Sequence, residues 1–518
     1  MTDTRKKSFR QRPRPKIRTL MAAGILFLSA AAVPAGQTGN RLRASRPPGS
    51  TKISHRLQAR MLSPARAGEP AAVWIYLRDK GRSAAALSRK KKEEIRRRLR
   101  PHCLWRRGKV RGPHDLVDVQ DAPLHQGYID KIVPEVERLR TVSRWLNALS
   151  AEITAAQLER LESCDFIVKI DLVTSFRRSV LPSPAVPEAQ VKKAPQNLLL
   201  DYGSSFDQLD QMNVIPLHER GYSGESVVVC ILDSGFRKSH EAFRQARIIA
   251  EWDFVNNDGD VAQDPGYPGD YPDSHGTGTW SALGGYKPGE LIGPAYRASF
   301  ILGKTESTLF EQPIEEDYWV AGMEWAEALG AEIVSSSLGY TDWYTFQDMD
   351  GKTAVTTIAA NRATSLGVTV VNAAGNERQE PWGHIIAPAD GLEVIAVGAV
   401  DRNGMLAPFS SPGPSSDGRI KPDVCARGLN TWIAGNNAEG EDIYRMGSGT
   451  SFATPLIAGA AALLLEIHRD WTPEQVSDAL AKSGDRSFKP DNDYGWGVVD
   501  AELAASWDQK KRKKGAPR

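Results

Sequence analysis

A chain of 518 residues, 41% of them apolar, exceeds one ordinary domain and can fill a sizeable core. Four cysteines are too few for a disulfide scaffold, and no Cys, His and acidic spacing marks a metal site. The net charge of +3 conceals two opposite halves: of 66 Lys and Arg, 40 fall in residues 1–200 with 17 of the 63 Asp and Glu, which leaves 26 against 46 in 201–518. Halves of opposite sign suit a contact between them, or a first half that is removed. The basic residues are scattered through an amphipathic helix, not interleaved with aromatics, and no zinc-finger spacing accompanies them, so nucleic acid is not the expected partner.

Residues 1–35 read as an export signal. A long positive stretch from Lys6 to Arg18 precedes the apolar run "LMAAGILFLSAAAV", and "VPA" at 33–35 offers small residues for cleavage. The run is short for a membrane span, and no other stretch is apolar enough for one, so no stable span is expected once the signal is gone. A basic pro-region, 36–175, follows, with a small α+β module over about 69–175. Its strands are expected at 71–80, 144–154 and "FIVKIDLV", its helices at 83–100 and "AAQLERLESC". Residues 176–200, "RRSVLPSPAVPEAQVKKAPQ" and its flanks, form a Pro-rich linker and processing region in which Arg177–Arg178 and Lys192–Lys193 are the candidate cleavage points. Cys103 and Cys164 have a spacing that permits pairing without requiring it.

From 201 to 507 the pattern alternates. Strands are expected at 226–232, 299–303, 332–336, 367–372 and 393–400, and helices at 275–284, 316–329, 354–365, 452–468 and 473–482. Such alternation implies an α/β fold with a parallel sheet, helices on both faces and chemistry beyond the carboxyl ends of the strands. Residues 508–518 are a basic tail.

Four stretches in that domain carry chemistry. "VVVCILDSG" ends an apolar strand on Asp233, a carboxylate that burial forces to find a partner. "DSHGTGTWSALGG" starts a helix at His275. "VVNAAGNE" sets Asn376 just past another strand. "GSGTSFATPLIAG" places Ser451 behind small residues at the head of an apolar helix, beside free N–H groups and the positive end of the helix dipole. A serine needs a base, a group that holds the base in one tautomer, and donors for an oxyanion; the chain supplies one of each.

In that order these motifs resemble the subtilisin-like serine proteases, and the similarity runs over roughly 205–505, to "YGWGVVDAELA". The order Asp, His, Ser also differs from that of α/β-hydrolases. The resemblance implies a doubly wound, mainly parallel seven-stranded sheet and an exported endopeptidase, secreted or periplasmic, that acts through an acyl-enzyme on proteins or peptides. It implies Ser451 as nucleophile, His275 as base, Asp233 as its orienting carboxylate, and Asn376 with the Ser451 N–H as the oxyanion hole. It further implies that Ser337, Leu338 and Gly339 pair with substrate backbone, and that Ala373, Ala374 and Gly375 line the primary specificity pocket. Ser335 and Ser336 beside them are expected to be structural. "RWLNALSAEITAAQLERLESCDFIVKIDLV" is similar to the second half of inhibitory pro-domains, which implies a zymogen whose own pro-domain is its intramolecular inhibitor. No cofactor is required, and the resemblance admits calcium as a structural ion. The oxygen-rich "NNDGDVAQDPGYPGDYPD" lacks calcium-loop spacing and is read as a solvated acidic loop. Departures from the family lie at Gly278, Thr279 and Trp280 and in "CARG" at 425–428.

Overall fold

The computed structural model describes residues 52–63, 68–81, 87–173, 195, 197–262, 273–306, 315–437 and 441–507. The expected export signal, the four basic cleavage candidates and the C-terminal tail lie outside them.

The pro-region is built on a four-stranded antiparallel sheet: β1 (Ala71–Leu77), β2 (Arg138–Ser143), β3 (Ala148–Ile153) and β4 (Ile167–Leu172), in the order β2-β3-β1-β4. The run at 144–154 was expected as one strand. It instead begins with a turn, in which Asn147 takes φ 51°, so that Arg138–Ser143 can pair back on it. Short helices α1 (His55–Met61), α2 (Arg89–Arg96), α3 (Pro101–Arg107), α4 (Gln126–Ile132) and α5 (Ala155–Glu162) accompany the sheet. Of these, α2 to α4 occupy one insertion between β1 and β2. Helix α5 starts with a capping box, Thr154 with Gln157, and buries Leu158 and Leu161 against Ile75, Leu149 and Ile170. All four cysteines of the chain are free, Cys103 and Cys164 included.

The second half holds seven parallel strands: β5 (Val228–Asp233), β6 (Arg247–Asp253), β7 (Ser299–Lys304), β8 (Ile333–Ser336), β9 (Thr369–Ala373), β10 (Ile395–Val400) and β11 (Val424–Arg427), in the order β11-β10-β9-β8-β5-β7-β6. The central strands are continuous apolar runs buried on both faces, as "VVCILD" and "IAVGAV" are, which is what helix cover on both sides demands. Strand β5 pairs with β8 on one side (Leu232 opposite Ser336) and β7 on the other (Asp233 opposite Lys304), so chain order reverses beside β5. A cleft at the strand carboxyl ends follows from that reversal. An antiparallel hairpin, β12 (Thr431–Asn436) with β13 (Asp442–Gly447), lies against helix α6 (Asp273–Gly284). Helices α7 (Glu315–Leu329), α8 (Val355–Ser365), α9 (Thr450–Ile467) and α10 (Pro473–Ser483) complete the layers. Helix α9 corrects one expectation. It is long and apolar enough by composition to cross a membrane, but 89% of it is buried as a core helix of this domain.

The two halves meet along α7, whose carboxylates face the pro-region. Trp74 Nε1 donates to Glu316 at 3.0 Å, and Arg140 clamps Asp317 through two bonds of 2.8 Å. Ser143 Oγ donates to Glu324 at 2.5 Å. At the far end the inserted α3 sends Arg106 and Arg107 onto Glu327, all three side chains fully buried, and His102 lies 3.0 Å from Glu332. Trp74 and Trp145 join the catalytic half's own apolar cluster. The opposite charges read from the sequence thus meet at this surface.

Candidate active site

Asp233 ends β5 with no exposed surface. Its Oδ1 lies 2.7 Å from His275 Nδ1 and accepts from Ser234 N at 2.8 Å. Its Oδ2 accepts from Thr279 Oγ1 at 3.0 Å. A buried carboxylate stays charged only where donors replace water, and these groups do so. Thr279 was noted in the sequence only as a departure from a family pattern. One turn beyond His275 on α6, it holds the second oxygen of the same carboxylate. Trp280, also unexpected, is fully buried and stacks on Phe243 with centroids 3.6 Å apart, which fixes the helix from its other side.

His275 stands at the head of α6, 16% exposed, its ring 5.5 Å from that of Phe452. Phe452 follows Ser451 in the first turn of α9. The small residues ahead of that helix have a steric cause. Gly449, the N-cap, takes φ +143°, a backbone conformation that strains any L side chain. Ser451 is 8% exposed. Its carbonyl would accept the N–H of residue 455 within the helix, but residue 455 is proline and has none. Ser337 Oγ donates to that carbonyl instead, at 2.8 Å. The Ser451 hydroxyl is turned to the Ser337 carbonyl at 3.4 Å, not to the imidazole.

Asn376 follows β9 through Gly375, whose φ is +111°. Its Oδ1 accepts from both Thr450 N, at 2.9 Å, and Thr450 Oγ1, at 3.0 Å. With the oxygen tied to the head of α9, the amide cannot flip, and its NH2 has no partner among the described residues. Ser337, Gly339, Ala373, Gly375, Asn376, Ile386, Thr450 and Ser451 together line one small pocket. Leu338 and Ala374 do not line it. Leu338 is 4% exposed in the apolar core, and both backbone groups of Ala374 are bonded, to Val397 and Ile386. Ser336 Oγ accepts from the buried Trp319 Nε1 at 2.9 Å, a structural bond.

Among the described residues no group of three or more His, Cys, Asp or Glu is placed to hold a metal. Just ahead of the acidic segment, Asp253 at the end of β6 is buried and paired with Lys304 at 2.9 Å. Residues 263–272 of that segment lie outside the described ones.

Residues 224–497 match the profile of the subtilase family, and residues 72–188 match a Peptidase S8 propeptide domain described for Bacteroidota. Subtilisin E of Bacillus subtilis (strain 168) is 32% identical over 306 residues, 57% of this chain and 70% of that protein. Serine protease AprX of the same organism is 29% identical over 405 residues, 72% and 82% respectively. Among solved structures, fervidolysin from Fervidobacterium pennivorans, a keratinolytic enzyme related to subtilisin, aligns with a TM-score of 0.60 at 21% identity. That alignment covers 86% of this chain and 62% of that one, a likeness of fold.

Proposed function

The chain belongs to the subtilase family of serine endopeptidases and carries that family's propeptide, and from this premise we propose that it cleaves peptide bonds through an acyl-enzyme on Ser451. Rotation about the Ser451 Cα–Cβ bond swings Oγ from Ser337 toward His275. The imidazole takes the hydroxyl proton as Oγ attacks the substrate carbonyl, then gives it to the departing amine; water repeats the sequence to release the acid. Asp233, bonded to Nδ1, fixes the tautomer and stabilises the imidazolium. The developing oxyanion is held by the Asn376 NH2 and the Ser451 N–H, the second an unsatisfied donor of the first turn of α9. Substrate backbone adds as a strand along Ser337–Gly339. The pro-region inhibits this site until it is removed. Residues 1–35 direct export, so the enzyme acts outside the cytoplasm. Calcium has no place in the chemistry.

The observation that carries this reading is the 2.7 Å Asp233–His275 contact made by a carboxylate with no exposed surface. Casein and short-chain esters test it. The processed chain should digest casein, and Ser451→Ala should retain the fold, lose the activity and keep its pro-region covalently attached. Full casein activity in that variant, or activity on esters alone, would contradict the reading.

A further inference from the structure

The pocket beside Ser451 has Ser337 and Gly339 on one wall and Ala373 and Gly375 on the other. Two glycines facing a slot make room for an inserted side chain. Here the room is already filled. Ile386 Cδ1 and Cγ1 lie 2.1 and 2.4 Å from the point a Cβ on Gly339 would occupy. Its Cγ2 and Cδ1 lie 3.1 and 3.2 Å from the corresponding point on Gly375. The isoleucine therefore stands between the two walls, 3% exposed, and the space left is about 10 Å³, roughly one water position.

Nothing nearby lets it withdraw easily. The Ile386 N–H donates to Ala374 O at 3.1 Å, and its carbonyl accepts from Ala389 N at 2.8 Å, so the main chain is tied to the end of β9. A β-branched side chain has few rotamers to escape into. Behind Gly375 the slot is closed by Ser411, whose Oγ accepts from Glu377 N at 2.8 Å.

We infer that Ile386 sets the substrate class: polypeptides with Ala, Gly or Ser on the acyl side of the cleaved bond. This rests on the proposed role of Ser451, which fixes where that side chain lies. A methyl or hydroxymethyl group fits the residual space, whereas Leu, Phe, Lys or Arg meets the isoleucine before its carbonyl reaches the serine. Overfilling a close-packed site forces off-rotamer side chains or backbone shifts, and here that cost falls on the transition state. Applied to the chain's own sequence, the preference points away from Arg178 and Lys193 and toward Ser179, Ala185 or Ala189 as the residue whose carbonyl is cut during processing.

The test uses the full-length chain after self-processing and peptide anilides that differ only in the acyl-side residue, Ala or Phe. Wild type should favour Ala by roughly 100-fold in kcat/KM. Ile386→Gly should abolish or reverse that ratio, with Ile386→Ala between; the alanine variant decides if the glycine variant does not fold. A wild type that prefers Phe, or a ratio unmoved in an active Ile386 variant, would overturn the inference and leave the hydrolytic reading intact. Hydrolysis of the Ala substrate that persists in Ser451→Ala would sink the hydrolytic reading instead. No hydrolysis of either substrate would overturn both.

Discussion

Two buried carboxylates of the catalytic half, Asp233 and Glu327, solve the same physical problem with opposite consequences. Each has no exposed surface. Asp233 is bonded by Ser234, His275 and Thr279, neighbours in its own domain. Glu327 is bonded by Arg106 and Arg107, which belong to the pro-region. The first arrangement survives removal of the pro-region; the second loses its partners and is returned to water. A charge whose counter-charges sit on a removable segment binds that segment tightly, because either partner left alone in the interface is costly. The same holds on α7 for Asp317 with Arg140; Glu332, just past α7, shares His102 and Lys109 of the pro-region with Arg469 of its own half. Site and docking surface are separate systems, one self-contained and one shared.

Substitutions can break that division. The largest kinetic effect outside the triad belongs to the self-contained side. Asn376→Ala should lower kcat by about 10²–10³ with KM little changed, as expected for a donor used only in the transition state. Steady-state kinetics on a peptide anilide check it, and a change confined to KM would make Asn376 a ground-state contact. On the shared side, Arg107→Ala should weaken docking by about 3–5 kcal/mol, since Glu327 stays buried with half its counter-charge. The inhibition constant of a separately produced pro-region reads this, and kcat of the mature enzyme should not move. Thr279→Val removes one hydrogen-bond donor from Asp233 and should cost about 1–3 kcal/mol in kcat/KM with docking unchanged.

The smallest effect is that of pH on docking. Burial opposes ionisation of Glu327, but Arg107 and Arg106 outweigh it and hold the carboxyl well below the usual range. Burial likewise opposes ionisation of Glu332, and His102, Arg469 and Lys109 reverse that effect and lower it from 4.5. A lowered value in the docked state means that docking is fully favoured above the ordinary glutamate range and lost as pH falls through the depressed values. Glu324, raised by burial, runs the other way, but Asp118 of the pro-region, which burial would raise and Arg362 across the interface lowers, joins the other two. Binding of a separately produced pro-region to the processed wild-type enzyme, measured by calorimetry, should weaken between pH 6 and pH 3.5. Tighter binding at the acid end would contradict this assignment of charges.

The legible parts of the sequence were those with a local signature. The buried strands and amphipathic helices announced themselves by apolar runs and period, and Asp233, His275, Asn376 and Ser451 by short motifs at element ends. What escaped depended on distant neighbours. Strand β6, "RIIAEWD", lies at the sheet edge and is half exposed, so it lacks the run that marks its neighbours. Arg106 and Arg107 resemble any solvated basic pair until Glu327, 220 residues further on, is folded against them. The apolar helix at Thr450–Ile467 differs from a membrane span only in what surrounds it. Ile386 has no motif at all; its importance lies in facing Gly339 and Gly375 across a slot that only the fold creates.

The central claim is that Ser451 is an acylated nucleophile activated by His275. The most direct measurement is to treat the processed enzyme with a serine-directed phosphonate and to locate the adduct by peptide mass spectrometry. The account predicts one adduct, on Ser451, formed in wild type and lost in His275→Ala that has been freed of its pro-region by an added protease. An adduct on Ser448 or Ser337, or labelling of Ser451 that is unaffected by His275→Ala, would contradict it.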